Sequence, residues 1–241
     1  MESAAAPEPP HGSDSALGRL VGVFVSPVKT FAAIARRPTW LLPVAIGAGL
    51  ALPLSELIIS KIDWRAFMTK QMARSERRLT EAQMDAAIEQ SRRLSWLWDV
   101  AAVLAPLVIT LAIAGVLWAA CQAFGWDVKF RQSLGVTAHA FFPGALVSAA
   151  LLVVLWNRVT IDPELVGDTL RTNLGFLVDR GTNSVLHGLL ASLDVFSFWT
   201  MALLVLGLSA AARAPRGRVA ILVVSLWGLF VLGKAGLTAL F

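Results

Sequence analysis

Cysteine, histidine and charged residues are scarce in this sequence. It has one cysteine, Cys121, three histidines, and charged residues at only 15% of its 241 positions. A single cysteine excludes an internal disulfide, and no Cys/His cluster has the spacing of metal ligands, so neither a metal nor another cofactor is expected. A Gly-rich phosphate loop, an HExxH motif and a Ser/His/Asp order suited to acyl transfer are also absent. We therefore do not expect an enzyme.

Apolar residues dominate the chain instead. They make up 56% of it, and a typical soluble domain would carry charges at about 25% of its positions. Uncharged runs of about 20 residues, long enough to cross a hydrocarbon layer of roughly 30 Å, recur along the sequence. They predict an all-α integral membrane protein with five transmembrane helices at approximately 40–60, 100–124, 133–156, 189–212 and 219–241. Short connections join the last four helices into two hairpins.

The N-terminal residues divide into a tail and an amphipathic segment. Residues 1–14 are rich in Pro, Ala, Ser and Gly, which predicts a disordered tail before a membrane domain at 15–241. From residue 15 to 37, apolar residues recur every three or four positions, as in a helix lying in the membrane interface. Arg19 and three other cations fall off this stripe. Pro27, with Ser26 as an N-cap, is expected to divide the segment into two helices.

Two further segments predict helices on the membrane surface. Thr80 and Gln83 form a capping box, so a helix should run from residue 81 to about 93. Asp162 and Pro163 form an N-cap and first-turn pair in the segment 157–188. An apolar stripe follows them there, which indicates one more amphipathic helix; its members are Val166, Leu170, Leu174 and Leu177.

Four stretches occur in a characteristic order: RLVGVFVSPVKTFAAIARRPTWLLP, LTEAQMDAAIEQ, FGWDVKFRQSLGVTAHAFFPGAL and DVFSFWTMALLVLGLSAAAR. Together they resemble the Yip family, the Ypt- and Rab-interacting membrane proteins, in its bacterial branch. The resemblance implies a five-helix domain with a cytosolic N-terminus. In eukaryotic relatives it also implies binding of Rab-type GTPases, partners that bacterial members lack. It implies no catalytic residue.

Four ionisable residues fall within or near the apolar spans: Glu56, His139, Asp194 and Lys234. A charged side chain costs roughly 2.5 to 3.5 kcal/mol at the centre of an inserting helix, so such residues are the first place to look for function. Glu56 is near a helix end, where its carboxylate can reach interfacial water. His139 suits either a proton relay or a hydrogen bond between helices.

Asp194 and Lys234 predict an ion pair between the last two spans. If these spans form an antiparallel hairpin about residue 215, the two side chains fall at similar depth, and their pairing would fix helix packing. The same residues, with His139, support an alternative function as a small transporter or channel. Transporters usually contain internal repeats, and the two hairpins show no convincing sequence repeat.

The sequence therefore predicts a membrane-embedded interaction or organising protein without catalysis. Its expected partners are the lipid bilayer and either other membrane proteins or copies of itself; nucleic acid is not expected, because the cations sit mostly beside apolar spans. The expected location is the bacterial cytoplasmic membrane, with the N-terminus cytosolic and the C-terminus outside. The Lys/Arg count opposes this orientation slightly, with nine inside and eleven outside. The dense cations of the tight turns and the Yip resemblance favour it.

Overall fold

The computed structural model describes residues 15–75 and 79–240, which form helices joined by turns. The tail predicted to be disordered, residues 1–14, lies outside the described residues. The helices, in chain order, are α1 (Ala16–Val25), α2 (Pro27–Arg36), α3 (Leu41–Ser60), α4 (Trp64–Ser75), α5 (Glu81–Arg93), α6 (Trp96–Ala123), α7 (Phe130–Phe141), α8 (Gly144–Trp156), α9 (Ser184–Ser192), α10 (Val195–Ala212) and α11 (Arg216–Leu240).

Five helical stretches are long and apolar enough to cross a membrane, as predicted. They are Leu41–Ser60, Trp96–Ala123, Phe130–Trp156, Val195–Ala212 and Arg216–Leu240. The all-α membrane class is thus confirmed. Within the described residues the chain divides into two compact units: the first contains 15–44, 110–143 and 196–234, and the second contains 45–75, 79–109, 144–195 and 235–240.

Helix α7 lies at the centre of the first unit. Eight consecutive residues, 133 to 140, are buried there, so the helix is covered on all sides and not on one face. Close packing depends on Gly207 of α10, because a Cβ atom at that position would lie 2.7 Å from Phe31 of α2 and closer still to Val136 of α7. Small residues at such crossings let helix backbones approach closely in a membrane protein.

The N-terminal segment forms two helices that meet at Pro27, as predicted. Ser15 caps α1 by accepting a 2.9 Å hydrogen bond from the Gly18 N–H. Ser26 occupies the N-cap position of α2, but its side chain makes no capping bond. The segment is also more deeply packed than an interfacial helix, because Phe31 and Ile34 are fully buried in the core of the first unit.

Two of the expected continuous spans are broken. Pro143 has no N–H to donate to the carbonyl of His139, and the Phe142 N–H donates to that carbonyl instead, at 3.3 Å, so α7 ends and α8 begins. The span expected at 189–212 is divided into α9 and α10. There the Leu174 N–H donates to the carbonyl of Leu193 at 3.3 Å, and the Val195 N–H donates to the carbonyl of Thr172 at 3.1 Å. The Leu193 N–H still donates to Leu190, so α9 ends there and α10 begins at Val195.

Of the two surface helices predicted from the sequence, one is present in the second unit and the other is not. Thr80 and Gln83 form the expected capping box at the start of α5. The segment 157–188 is not the single helix expected. Asp162 does accept a cap hydrogen bond, from Glu164 N–H at 3.0 Å, but only a short 3₁₀-helix follows, Pro163–Asp168. A second 3₁₀-helix, Leu174–Leu177, comes after a break, because backbone groups at 172–174 are used for the bonds to residues 193 and 195.

Candidate functional site

His139 is held by its own helix. Its side chain is 1% exposed, and its Nδ1 lies 2.9 Å from the carbonyl oxygen of Gly135, one turn earlier in α7. A carbonyl oxygen can only accept, so Nδ1 carries the hydrogen and donates it. This bond satisfies the Nδ1 atom of the imidazole within the first unit. Any further function of the ring would have to use its Nε2 atom.

Asp194 lies at the junction before α10 and not inside that helix. It directly precedes Val195, the first residue of α10, and its carboxylate accepts a hydrogen bond from the Thr172 hydroxyl. The backbones of Asn173 and Asp194 also form an antiparallel bridge. A carboxylate immediately before a helix N-terminus is favoured by the helix dipole. The expected span 189–212 would place Asp194 inside a helix, and the structure corrects this by placing it between α9 and α10.

Glu56 and Lys234 differ in their surroundings. Glu56 is exposed on α3, four residues before the helix ends at Ser60, which agrees with a carboxylate near a helix end. Lys234 is half-buried on α11 in the first unit.

Lys61 is a structural cation that the sequence did not single out. Its ammonium group donates to the carbonyl oxygens of Leu155 at 3.3 Å, of Arg158 at 2.8 Å and of Trp156. It also lies 5.9 Å from the centre of the Trp156 ring. Leu155 and Trp156 are the last residues of α8 and Arg158 follows it, so the ammonium lies at a helix end, where the helix dipole favours a cation. The Leu155 carbonyl also accepts from the Arg158 N–H at 3.1 Å.

Charged side chains tie the surface segments of the second unit together. Lys70 of α4 contacts Asp162 at 2.9 Å and Glu164 at 2.7 Å. The hydrogen bond to Glu164 raises the pKa of Lys70 most, and the bond to Asp162 raises it further above its usual range. A pocket of about 230 Å³ opens beside this cluster. Every member of the cluster has a charged partner, as in a structural network.

A second charged contact holds the segment that precedes α9. Arg180 lies 3.2 Å from Asp168, and His187 lies 3.3 Å from the same carboxylate. His187 Nδ1 is also 2.9 Å from the carbonyl oxygen of Val178. Sequence spacing gave no signal for these contacts, because they join short irregular segments.

A comparison with protein families identifies the family of this chain. A family model described as the Yip1 domain matches residues 21–237. The chain belongs to the Yip1 domain family. The match covers the first four apolar spans and the fifth as far as residue 237, so the resemblance to the Yip family is confirmed. Neither the search of curated proteins nor the search of solved structures returned a match.

The Yip1 domain match also places the charged features described above. Lys61, Asp194 and the Lys70 cluster all lie within residues 21–237, whereas Arg19 precedes the matched range by two residues. The family assignment identifies a membrane protein and names no catalytic group in this chain.

Replacing Lys61 tests its role at the end of α8. We expect Lys61→Met to lower the free energy of unfolding of the detergent-solubilised protein by about 1 to 3 kcal/mol, because it leaves helix-end carbonyls without their charged donor. The melting temperature should fall accordingly. Lys61→Arg should retain most of the stability, and Lys29→Met, which removes an exposed cation from α2, is the matched control. Equal melting temperatures for Lys61→Met and Lys29→Met would show that the carbonyl contacts contribute nothing.

Proposed function

We propose that this Yip1 domain protein is a membrane-embedded interaction protein, without catalysis, that packs against other membrane proteins or against copies of itself. The observation that carries the proposal is an exposed face of α3. It contains Ala45, Gly49, Pro53 and Glu56, which recur at helical spacing and are all exposed. Small residues on a helix face in lipid favour close approach of another helix.

The burial of α3 supports this proposal. In its 18-residue apolar stretch, only 11% is buried within the chain, against 33% for the corresponding stretch of Val195–Ala212. A carboxylate on such an exposed helix is costly in lipid unless a donor or interfacial water satisfies it. A second helix that carries a donor would satisfy Glu56 and cover Gly49 at the same time.

Site-directed crosslinking tests this surface. In a Cys121→Ser background, Gly49→Cys carries a benzophenone label in native membranes, and a Cβ at this position meets no atom within 4 Å, so the change should be tolerated. We expect a discrete protein adduct, whose mass is that of two chains if the protein self-associates. Val100→Cys is the matched control, because Val100 is exposed on α6 and its neighbours three and four residues away are all large: Trp96, Leu97, Val103 and Leu104. The same adducts from both positions, or none from Gly49→Cys, would contradict the proposal.

We further infer that the N-terminus is cytosolic and the C-terminus outside, in a bacterial cytoplasmic membrane. The described part of the first unit contains ten Lys/Arg residues and one acid, Asp127, whereas that of the second contains nine Lys/Arg residues and eleven acids. Cations of the second unit such as Arg65, Lys70 and Arg180 are paired with carboxylates. Unneutralised cations thus belong mainly to the N-terminal helices and the two tight turns, as expected on the cytosolic side.

A topology reporter tests this orientation. We expect alkaline phosphatase fused after Phe241 to be active, because that enzyme matures only outside the cytoplasm, and the same fusion within the turn 213–218 to be inactive. The reverse pattern would place the N-terminus outside.

The predicted ion pair between Asp194 and Lys234 remains a proposal, and a double-mutant cycle tests it. If the two side chains are coupled, Asp194→Asn and Lys234→Met should each destabilise the protein, and the double variant should lose less than the sum. Additive losses would remove the pair. Solute uptake by reconstituted vesicles that the double variant abolishes, with stability unchanged, would instead favour the transporter alternative.

A further inference from the structure

Three arginines surround a pocket in the first unit. The pocket has a volume of about 290 Å³ and is lined by Arg19 of α1, by Ala33 and Arg36 of α2, and by Arg37 just after α2. Like charges gathered at one small pocket repel one another unless an anion lies between them. Guanidinium groups match the oxygens of a phosphate, so a pocket lined by three arginines suits an anion.

Arg19 is the decisive residue. It is only 4% exposed, although the sequence had placed it on the polar side of an interfacial helix. Its Nη1 donates to the carbonyl oxygen of Arg37 at 2.7 Å and to the hydroxyl of Thr39 at 3.0 Å. Its Nε is buried and has no hydrogen-bond partner among the described residues. A buried cation with an unused donor is costly, and an anion in the pocket that its guanidinium lines would offset that cost.

The described residues of the first unit offer little negative charge to fill this role. They contain one carboxylate, Asp127, which is exposed in the turn before α7. The carbonyl end of α2 is also near the pocket and carries about half a negative charge. That partial charge is far smaller than the three positive charges of the arginines, so the balance at the pocket remains strongly positive.

The helices that carry the arginines also present an apolar surface. Leu17, Val21 and Val25 lie at intervals of four residues along α1 and are 67%, 62% and 75% exposed, and Val28 at the start of α2 is half exposed. An exposed stripe of this kind is stable in acyl chains and unstable in water. A membrane that covers it also brings its phosphate headgroups to these two helices, which favours a lipid over a soluble anion.

We propose that Arg19, Arg36 and Arg37 form a binding site for one phosphate group, supplied by the headgroup of an anionic glycerophospholipid. Arg19 holds the inner side of the site and is fixed in position by Arg37 and Thr39. Arg36 and Arg37 are exposed and close the site around the bound phosphate. This inference does not depend on the interaction surface of α3.

The test uses the full chain in nanodiscs of zwitterionic lipid. Phosphatidylglycerol is titrated in, and the number and affinity of retained anionic lipids are measured by native mass spectrometry. We expect one tightly retained phosphatidylglycerol, and we expect Arg36→Gln with Arg37→Gln to weaken it by about tenfold or more, because charge-assisted hydrogen bonds are lost. Both arginines are exposed, so this variant should fold.

A matched control separates the pocket from general surface charge. Lys29→Gln with Arg131→Gln removes two exposed cations from the same unit outside the pocket. We expect less than a threefold change in the retention of phosphatidylglycerol. Equal loss in the two double variants would overturn the proposal, and so would wild-type protein that retains no lipid selectively. Inorganic phosphate at millimolar concentration that displaces the lipid completely would show that the site serves a soluble anion, which would also overturn it.

Discussion

Backbone carbonyl groups left without a partner in their own helix are the constraint on which much of this structure depends. In hydrocarbon, water cannot satisfy them, so the protein must. Lys61 donates to carbonyls at the end of α8, and Arg19 donates to the carbonyl of Arg37 after α2. Gln132 donates at 2.8 Å to the carbonyl of Ala35, in the last turn of α2. Ser133 makes a related bond of 2.8 Å to the carbonyl of Ala114, which lies in the interior of α6. Polar side chains thus supply donors that connect one helix to the end or the backbone of another.

The same constraint separates what the sequence predicts from what it does not. The break at Pro27 and the capping box of Thr80 and Gln83 depend on residues within one turn of each other, and both were predicted correctly. The Lys61 ammonium donates to carbonyls of residues more than ninety positions away in the sequence, so no local pattern predicts these bonds. The division between α9 and α10 has a similar cause, because the backbone at Leu193 bonds to a segment about twenty residues earlier in the chain. Hydropathy detects the apolar run there but not the competing backbone partner.

Charge is used differently in the two units. In the second unit, cations such as Lys70 and Arg180 contact carboxylates of neighbouring segments. These contacts add to a small apolar cluster that includes Ile161 and Val166 of the same surface segment. Among the described residues of the first unit, one acid accompanies ten cations. Those residues cannot neutralise one another, and the proposed phosphate site supplies an anion from the membrane. The nearest anions to a membrane helix are lipid phosphates.

The roles of the ionisable residues follow from where their partners lie. A relay residue must be able to change its partner, whereas His139 and Asp194 each have a hydrogen-bond partner within their own unit, Gly135 and Thr172. Those bonds are consistent with fixing a helix or a junction. Glu56 differs, because it is exposed beside small residues on the least buried of the five spans. Position in an apolar span therefore does not by itself separate these residues. The hydrogen-bond partners that the fold supplies separate them better, because they show which polar groups another molecule can still satisfy.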